Sequence, residues 1–446
     1  MSALRDLWQG LPAAAQDVAV LLALLAPALA VGLWLLGGHR PWPLARALLW
    51  RYRGTNALFV TLIAIAVALG TGLTAQERAL REGTAAAARP FPLIVSAPGS
   101  PVDMMLAAVY LRPTDAALLD GRTFAAIAGH ERVRLAAPIA YGDSVGGAPV
   151  IGTVPAFVDH LAPLAQGRAF RATREAVAGA LAPVAVGDAF EPAHGVGHAA
   201  ESGAHEGTRI TVVGRLAPTG SPWDRAVLVP VETVWETHGL SNGHAPGGHA
   251  PGGRAGGDAI GPPFAPDLFP GTPAILVVGH RPADAYALRA AFTRTGNTMA
   301  FFPGAVLAAL HNLMGDVREA MSLLATVSQA LVAAAVLAGL FALVRLFAPR
   351  LALLRAIGAP GRFAVAIVWL YAGTLVCLGA AAGLLLGFAV AAVLSRVVTA
   401  RTDIALAATL GWSEWHAVAA FVSLAVLLAL VPATLAARRP ILGDLR

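Results

Sequence analysis

Twelve histidines stand in a chain of 446 residues, and six of them gather in two short stretches. The first stretch holds His194, His198 and His205 beside Glu206, and the second holds His238, His244 and His249. A neutral imidazole offers a nitrogen lone pair that suits zinc, copper or nickel. In "HGVGH" (194–198) the two histidines are four residues apart, as on one helical turn, while the glycines between them favour a loop. The chemistry on offer is transition-metal ligation, with zinc among the candidates. The competing reading is a polar, glycine-rich linker in which histidine is incidental, because a histidine-rich tract is compositional evidence.

No catalytic arrangement is legible beside these clusters. Asp143, Ser144 and Glu175 carry suitable groups, but no G-x-S-x-G, H-E-x-x-H or paired-carboxylate motif accompanies them. Asp224 and Arg225 are adjacent in an expected tight turn and read as fixing that turn. The sequence contains no lysine, which excludes a Walker A phosphate loop and ATP hydrolysis by that route. The one cysteine, Cys377, allows neither an intrachain disulfide nor a cysteine metal site. The expectation is a non-catalytic chain that binds no cofactor of its own, unless the histidines hold a metal.

The elements that must position these residues follow from composition. The chain is 57% hydrophobic and 13% charged, with net charge +6 and mean hydropathy +0.66. A soluble protein carries about twice that charged fraction. The apolar excess falls in five runs, roughly 18–38, 55–75, 319–347, 364–395 and 415–437. Each approaches the ~20 helical residues that cross a bilayer core. The first contains Pro27 and reads either as a span or as an interfacial segment. Charge is nearly absent within the runs, and Glu414 and His416 sit at the start of the last, which weighs against an ion-driven carrier.

Arginine placement gives an orientation. Arg40, Arg46, Arg51 and Arg53 follow the first run, Arg350, Arg355 and Arg362 separate the third from the fourth, and Arg438, Arg439 and Arg446 end the chain. These three segments are expected in the cytoplasm, and 76–318 outside it. The expected fold class is an α-helical integral membrane protein of about five transmembrane helices with a large extracytoplasmic mixed α/β domain. Residues 1–54 form an apolar segment and basic cytoplasmic loop, 55–75 a transmembrane helix, 76–318 the domain, and 319–446 three more spans. Within the domain, 209–216 and 225–231 read as strands, and 273–304 as a strand–helix–strand unit of βαβ type. Residues 238–264, with a tandem GHAPG repeat, read as a flexible solvated insert.

Two spacings within the membrane part stand out. Gly379, Gly383 and Gly387 recur every fourth residue in "GAAAGLLLGF" and predict a face for close helix packing. That face is either a seam between subunits, or one that slides, or static packing within one chain. Between the third and fourth runs, "RLALLRAIGAPGRF" (350–363) places Leu351, Leu354 and Ile357 or Gly358 at helical spacing between arginines. It reads as a short amphipathic cytoplasmic helix ended by Gly358 and Pro360, or as a basic turn that only fixes topology.

"LALLRAIGA" (351–359) closely resembles the cytoplasmic coupling segment of FtsX/MacB-type ABC transporter permeases, and "ARRPILGDLR" (437–446) resembles the family's ending. Further similar stretches lie at 98–110, 138–153, 167–170, 175–182 and 212–239, so the resemblance covers about 55–446. Arg350 stands where the family usually has an acidic residue, and the run at 18–38 departs from its four-span plan.

The resemblance implies a permease subunit of the bacterial cytoplasmic (inner) membrane, with homodimer formation, lipid contact and no nucleic-acid partner. A separate cytosolic ABC ATPase would consume the ATP and dock on Arg350, Leu351, Leu354, Arg355, Ile357 and Gly358. Its cycle would move the extracytoplasmic domain, for export or extraction of a substrate. Two alternatives remain at this point: an FtsX-like regulator that activates an extracytoplasmic partner protein without transport, and a metal-binding membrane receptor.

Overall fold

The computed structural model describes residues 2–38, 40–195, 207–245, 259–294, 296–313 and 315–438. The chain divides into two compact units. One comprises Met1–Leu80, Gly315–Arg396 and Ala407–Arg446, and the other Arg81–Met314 and Val397–Leu406.

The first unit is helical. It opens with α1 (Ser2–Gln9), α2 (Ala13–Leu36), α3 (Trp42–Arg51) and α4 (Arg53–Ala88). Pro27 does not divide α2, whose 24 residues run unbroken. At 1.5 Å per residue that is about 36 Å, enough to cross a hydrocarbon core. α4 continues well past the expected end of its span at 75, and its residues from Arg81 belong to the second unit.

The second unit is built on one mixed sheet. In chain order its elements are β1 (Leu93–Ser96), α5 (Pro101–Tyr110), α6 (Gly121–Ala128), β2 (Val133–Val145), β3 (Ala148–Thr153), α7 (Pro155–Leu161), β4 (Leu164–Gly167), β5 (Glu175–Ala178), β6 (Ala189–Phe190), β7 (Ala193–His194), β8 (Ile210–Leu216), β9 (Val227–Pro230), α8 (Val231–Thr237), β10 (Ala274–Gly279), α9 (Asp284–Arg294), β11 (Met299–Phe301) and α10 (Pro303–Leu313). The strand order is β11-β1-β10-β2-β3-β9-β5-β8-β4, with β6 on β8 and β7 on β2.

β1 pairs antiparallel with both β10 and β11. The expected βαβ unit is therefore a split one: β10, α9 and β11 are present, but β1, from far earlier in the chain, lies between the two strands. β2 is the longest strand. Its first half pairs with β10 and its second with β3 and β7. Beneath the sheet, Phe91, Phe157 and Trp223 pack with ring centroids 5.0–6.2 Å apart.

The insert at 238–264 differs from its expected form at both ends. Phe264 is buried against Phe124, Trp235 and Phe269. Gly243 lies so close to Trp235 that a Cβ there would stand 2.9 Å from the indole. Aromatic burial anchors these ends although glycine and proline dominate the composition. Residues 246–258 lie outside the described residues.

The first unit resumes with α11 (Gly315–Ala356), α12 (Gly361–Thr402), α13 (Trp412–Leu428) and α14 (Leu430–Arg438). Among the described residues four helical stretches are long and apolar enough to cross a membrane: Ala13–Leu36, Arg53–Ala88, Gly361–Thr402 and Trp412–Leu435. The expected span at 319–347 falls within α11, many of whose side chains lie outside the described residues.

Within this unit, the Trp369 indole N–H donates to Val426 O at 3.0 Å, and its ring packs on the bare backbone of Gly32. Arg78 donates to both Glu414 carboxylate oxygens at 2.7 and 2.8 Å, tying α4 to the first turn of α13. Glu414 also accepts from Gly411 N, so a single buried carboxylate caps the helix and neutralises the arginine.

Candidate functional site

Two places carry the residues singled out in the sequence. The first lies on the sheet of the second unit, where β2 holds a bulge. Ala140 pairs with Gly152 and Asp143 with Val150, so Tyr141 and Gly142 together face one residue of β3. A bulge re-aims the side chains that follow it. Beyond it, Asp143 stands directly opposite His194 in the antiparallel β2–β7 pair. Directly opposed residues share a face of the sheet. Gly195 closes this short strand, donating from N to Gly142 O at 2.7 Å with φ +83°.

His238 reaches the same place from the end of α8, which packs on β2 and β3. Its Nδ1 lies 2.7 Å from Val234 O. A carbonyl oxygen only accepts, so Nδ1 carries the proton and Nε2 is turned to the site. The ring rests on Gly142, where a Cβ would stand 3.1 Å from Cε1. The result is a cluster of three. Asp143 Oδ1 is 3.7 Å from His194 Nδ1 and 3.6 Å from His238 Nε2. The Asp143 side chain is 2% exposed and that of His194 51%.

The structure thus brings together two of the six candidate histidines and adds Asp143, which the sequence reading left without a partner. His244 goes elsewhere: its Nε2 lies 3.2 Å from Glu232 Oε1, and its ring packs on Phe264. Glu232 is fully buried and also accepts from Gly261 N at 2.5 Å, so it joins both packed ends of the insert. Burial pushes its carboxyl above the ordinary range, against the opposing hydrogen bond from His244. The sequence grouped His244 with His238, and the buried carboxylate on α8 separates them. His198, His205 and His249 lie outside the described residues.

Glu175 and Asp224, the other acidic residues singled out in the sequence, hold local structure. Glu175 forms a two-pronged pair with Arg168 at 2.7 and 2.5 Å. That guanidinium holds the Glu175 carboxyl below its ordinary range. Asp224 accepts from Thr219 N, Thr219 Oγ1 and Gly220 N at 2.6–2.9 Å and so closes its turn.

The second place is the turn between α11 and α12. Residues 350–356 are not a separate helix; they are the last turns of α11. Gly358 adopts φ +98°. Its N–H donates to Arg355 O at 3.0 Å, and Ala359 N donates to Leu354 O at 3.0 Å. This is a Schellman stop, for which a residue without Cβ is suited.

The apolar stripe is rotated from its expected position. Leu351 is 4% exposed and packs in the helical core, with Leu354 half-buried beside it. Leu353 (58%) and Ile357 (77%) face outward. Leu351, Leu354 and Arg350 instead line a cleft of about 380 Å³ together with Leu44, Leu48 and Arg51. Arg350 donates to the Tyr52 hydroxyl at 2.7 Å. Arg355 is half-buried, and Arg362 stacks its guanidinium over Trp34 at 4.8 Å. Heptad-like spacing alone could not show which side of the helix its own bundle would cover.

The glycine face of α12 meets α4 of the same chain. A Cβ on Gly379 would stand 2.6 Å from Ile63 Cβ, one on Gly383 2.6 Å from Val67 Cβ, and one on Gly387 2.8 Å from Ala68 O.

No protein-family model matches the chain, and no curated protein matches it. Among solved structures it is similar to the periplasmic region of MacB from Actinobacillus actinomycetemcomitans. That match has 11% identity and a TM-score of 0.30, covering 50% of this chain and 95% of that one. It is also similar to the extracellular domain of the noncanonic ABC-type transporter YknZ from Gram-positive bacteria. Here identity is 12% and the TM-score 0.27, covering 47% of this chain and 98% of that one.

Proposed function

We propose that this chain is the membrane subunit of an ABC transporter of the FtsX/MacB type, driven by a separate cytosolic ATPase. The observation that carries the reading is the α11–α12 turn. There the "LALLRAIGA" pattern coincides with two outward apolar side chains, Leu353 and Ile357, on a helix stopped sharply at Gly358. An exposed apolar pair at i and i+4 suits insertion into a groove of a partner. Because residues 350–356 continue α11 without a break up to the turn, a push on Leu353 would be passed along one 42-residue helix. These 446 residues carry no lysine and so no Walker A loop, which fits a reading in which hydrolysis takes place outside them. In this reading the sheet unit lies outside the cytoplasm, the chain works as a pair, and the ATPase cycle moves the sheet unit to export or extract a substrate.

The test is whether a cytosolic ABC ATPase co-purifies with this chain from its native membranes. Leu353→Asp with Ile357→Asp is expected to abolish association while the protein still inserts and remains monodisperse in detergent. Association at the wild-type level would refute the docking surface.

A further inference from the structure

We infer that Asp143, His194 and His238 form a binding site for one divalent transition metal of the zinc class. Their candidate ligand atoms all lie within 4.8 Å of one another. Metal–ligand arms of about 2.0–2.1 Å at tetrahedral angles place ligand atoms about 3.4 Å apart. The two distances measured from Asp143 Oδ1, 3.7 and 3.6 Å, are close to that edge. A contraction of a few tenths of an ångström would bring both of these edges to that length, and the third edge, between the two imidazoles, lies within 4.8 Å.

The surroundings are arranged as such a site requires. A ligating histidine characteristically donates its second ring N–H to a carbonyl or carboxylate, which fixes tautomer and ring direction. His238 does so through Nδ1 to Val234 O. The β2 bulge sets Asp143, the β2–β7 register sets His194 opposite it, and Gly142 leaves room for the His238 ring. Each ligand is thus held by backbone of a different element. Asp143 is buried, whereas His194 is half exposed, so among the described residues the cluster has a dry floor and an open side. The open side supplies an entry path and a fourth position for water or an outside ligand.

The donor set selects the class of ion. Two imidazoles and one carboxylate suit Zn2+, Co2+ or Ni2+; Ca2+ and Mg2+ prefer oxygen donors throughout, and Cu(I) prefers sulfur. A bare imidazole–carboxylate cluster would share the short distances but would hold no metal in solution, and the experiment separates the two.

The full chain, purified in detergent and stripped with a chelator, is titrated with Co2+ and then with Zn2+. Saturable visible absorption of a low-coordinate cobalt ion is expected, and Zn2+ should displace it. His194→Ala and His238→Ala should each weaken binding at least about 10-fold, the lower end of what loss of a mere outer-shell partner costs. His280→Ala, an exposed histidine elsewhere on the unit, should bind as wild type. His194→Cys should gain a thiolate-to-cobalt charge-transfer band in the near ultraviolet, which only a residue bonded to the metal produces. Because His194 is half exposed, this variant is expected to fold, as circular dichroism would verify. Cobalt binding unchanged in His194→Ala and His238→Ala, or a folded His194→Cys protein with no charge-transfer band, would overturn the site.

Discussion

Arg225 and Asp403 form an ion pair, with Nε and Oδ1 2.6 Å apart. Arg225 follows the Asp224-closed turn of the sheet unit, and Asp403 is the residue after α12, in the left-handed region at φ +58°. Two residues on, Ala405 N donates to Gly220 O at 2.9 Å. The segment Val397–Leu406 therefore belongs to the sheet unit although it is joined by sequence to the helices.

Both partners of this pair are partly exposed, so it contributes at most about 1 kcal/mol. Arg225→Asp places two acids together and is expected to lower the melting temperature in detergent. Adding Asp403→Arg should restore it, and high salt should shrink the difference. A charge-reversed double variant as unstable as the single would show that Arg225 acts through packing alone.

The two faces of the end of α11 should respond differently. Leu351→Ala empties a buried position and is expected to cost about 2–5 kcal/mol. Leu353→Ala, on the outward face, should stay within about 0.5 kcal/mol. Thermal unfolding of the two variants side by side measures this, and equal losses would contradict the rotated stripe.

On α12, Gly383→Ala puts a methyl 2.6 Å from Val67 Cβ and 2.7 Å from Ala64 O, so α4 must shift. A loss of about 1–3 kcal/mol is expected from such overpacking. Gly373→Ala is the control, since its methyl would meet only Val426 Cγ2 at 3.9 Å. Similar melting of both variants would mean that the α4–α12 approach yields easily.

How much of this was legible depended on range. The apolar run at 210–216 and the chain of residues 274–301 gave their strands and helix, because local alternation and periodicity suffice there. The break at Gly358 was equally local. β2 was not legible as a strand, since Pro138 and Gly142 interrupt its pattern while sheet pairing on both halves holds it extended. Asp143 could not be joined to the histidines, because only the register of β2 with β7 and the docking of α8 bring them together. The aromatic anchoring of the insert by Phe264 was hidden for the same reason: its partners lie in other elements.

Glu175 should govern part of the acid limb of stability. Arg168 holds its folded value below the ordinary 4.5, with burial opposing. The stabilisation is present above the unfolded value and is lost as pH falls through the lowered one. Glu175→Gln is expected to be less stable than wild type near neutral pH and to lose the difference on acidification. A difference in melting temperature independent of pH would contradict the ionic origin.

Glu232 should behave in the opposite sense. Burial raises its folded value above 4.5. Its favourable contribution is therefore present below the unfolded value and lost as pH rises through the raised one. Glu232→Gln keeps an acceptor for Gly261 N without the buried charge. Its melting temperature relative to wild type should climb as pH rises from acid to neutral. A constant offset would mean that the neighbouring His244 compensates the charge in full.

Strand β2 belongs to both halves of the sheet at once, hydrogen-bonded to β10 over one part and to β3 and β7 over the other. A load carried along its axis must break those bonds together in shear, whereas a load across it would unzip them one pair at a time. The sheet unit is thus mechanically stiff in one direction and compliant in the other, and a tether's pulling direction would decide which strength is measured.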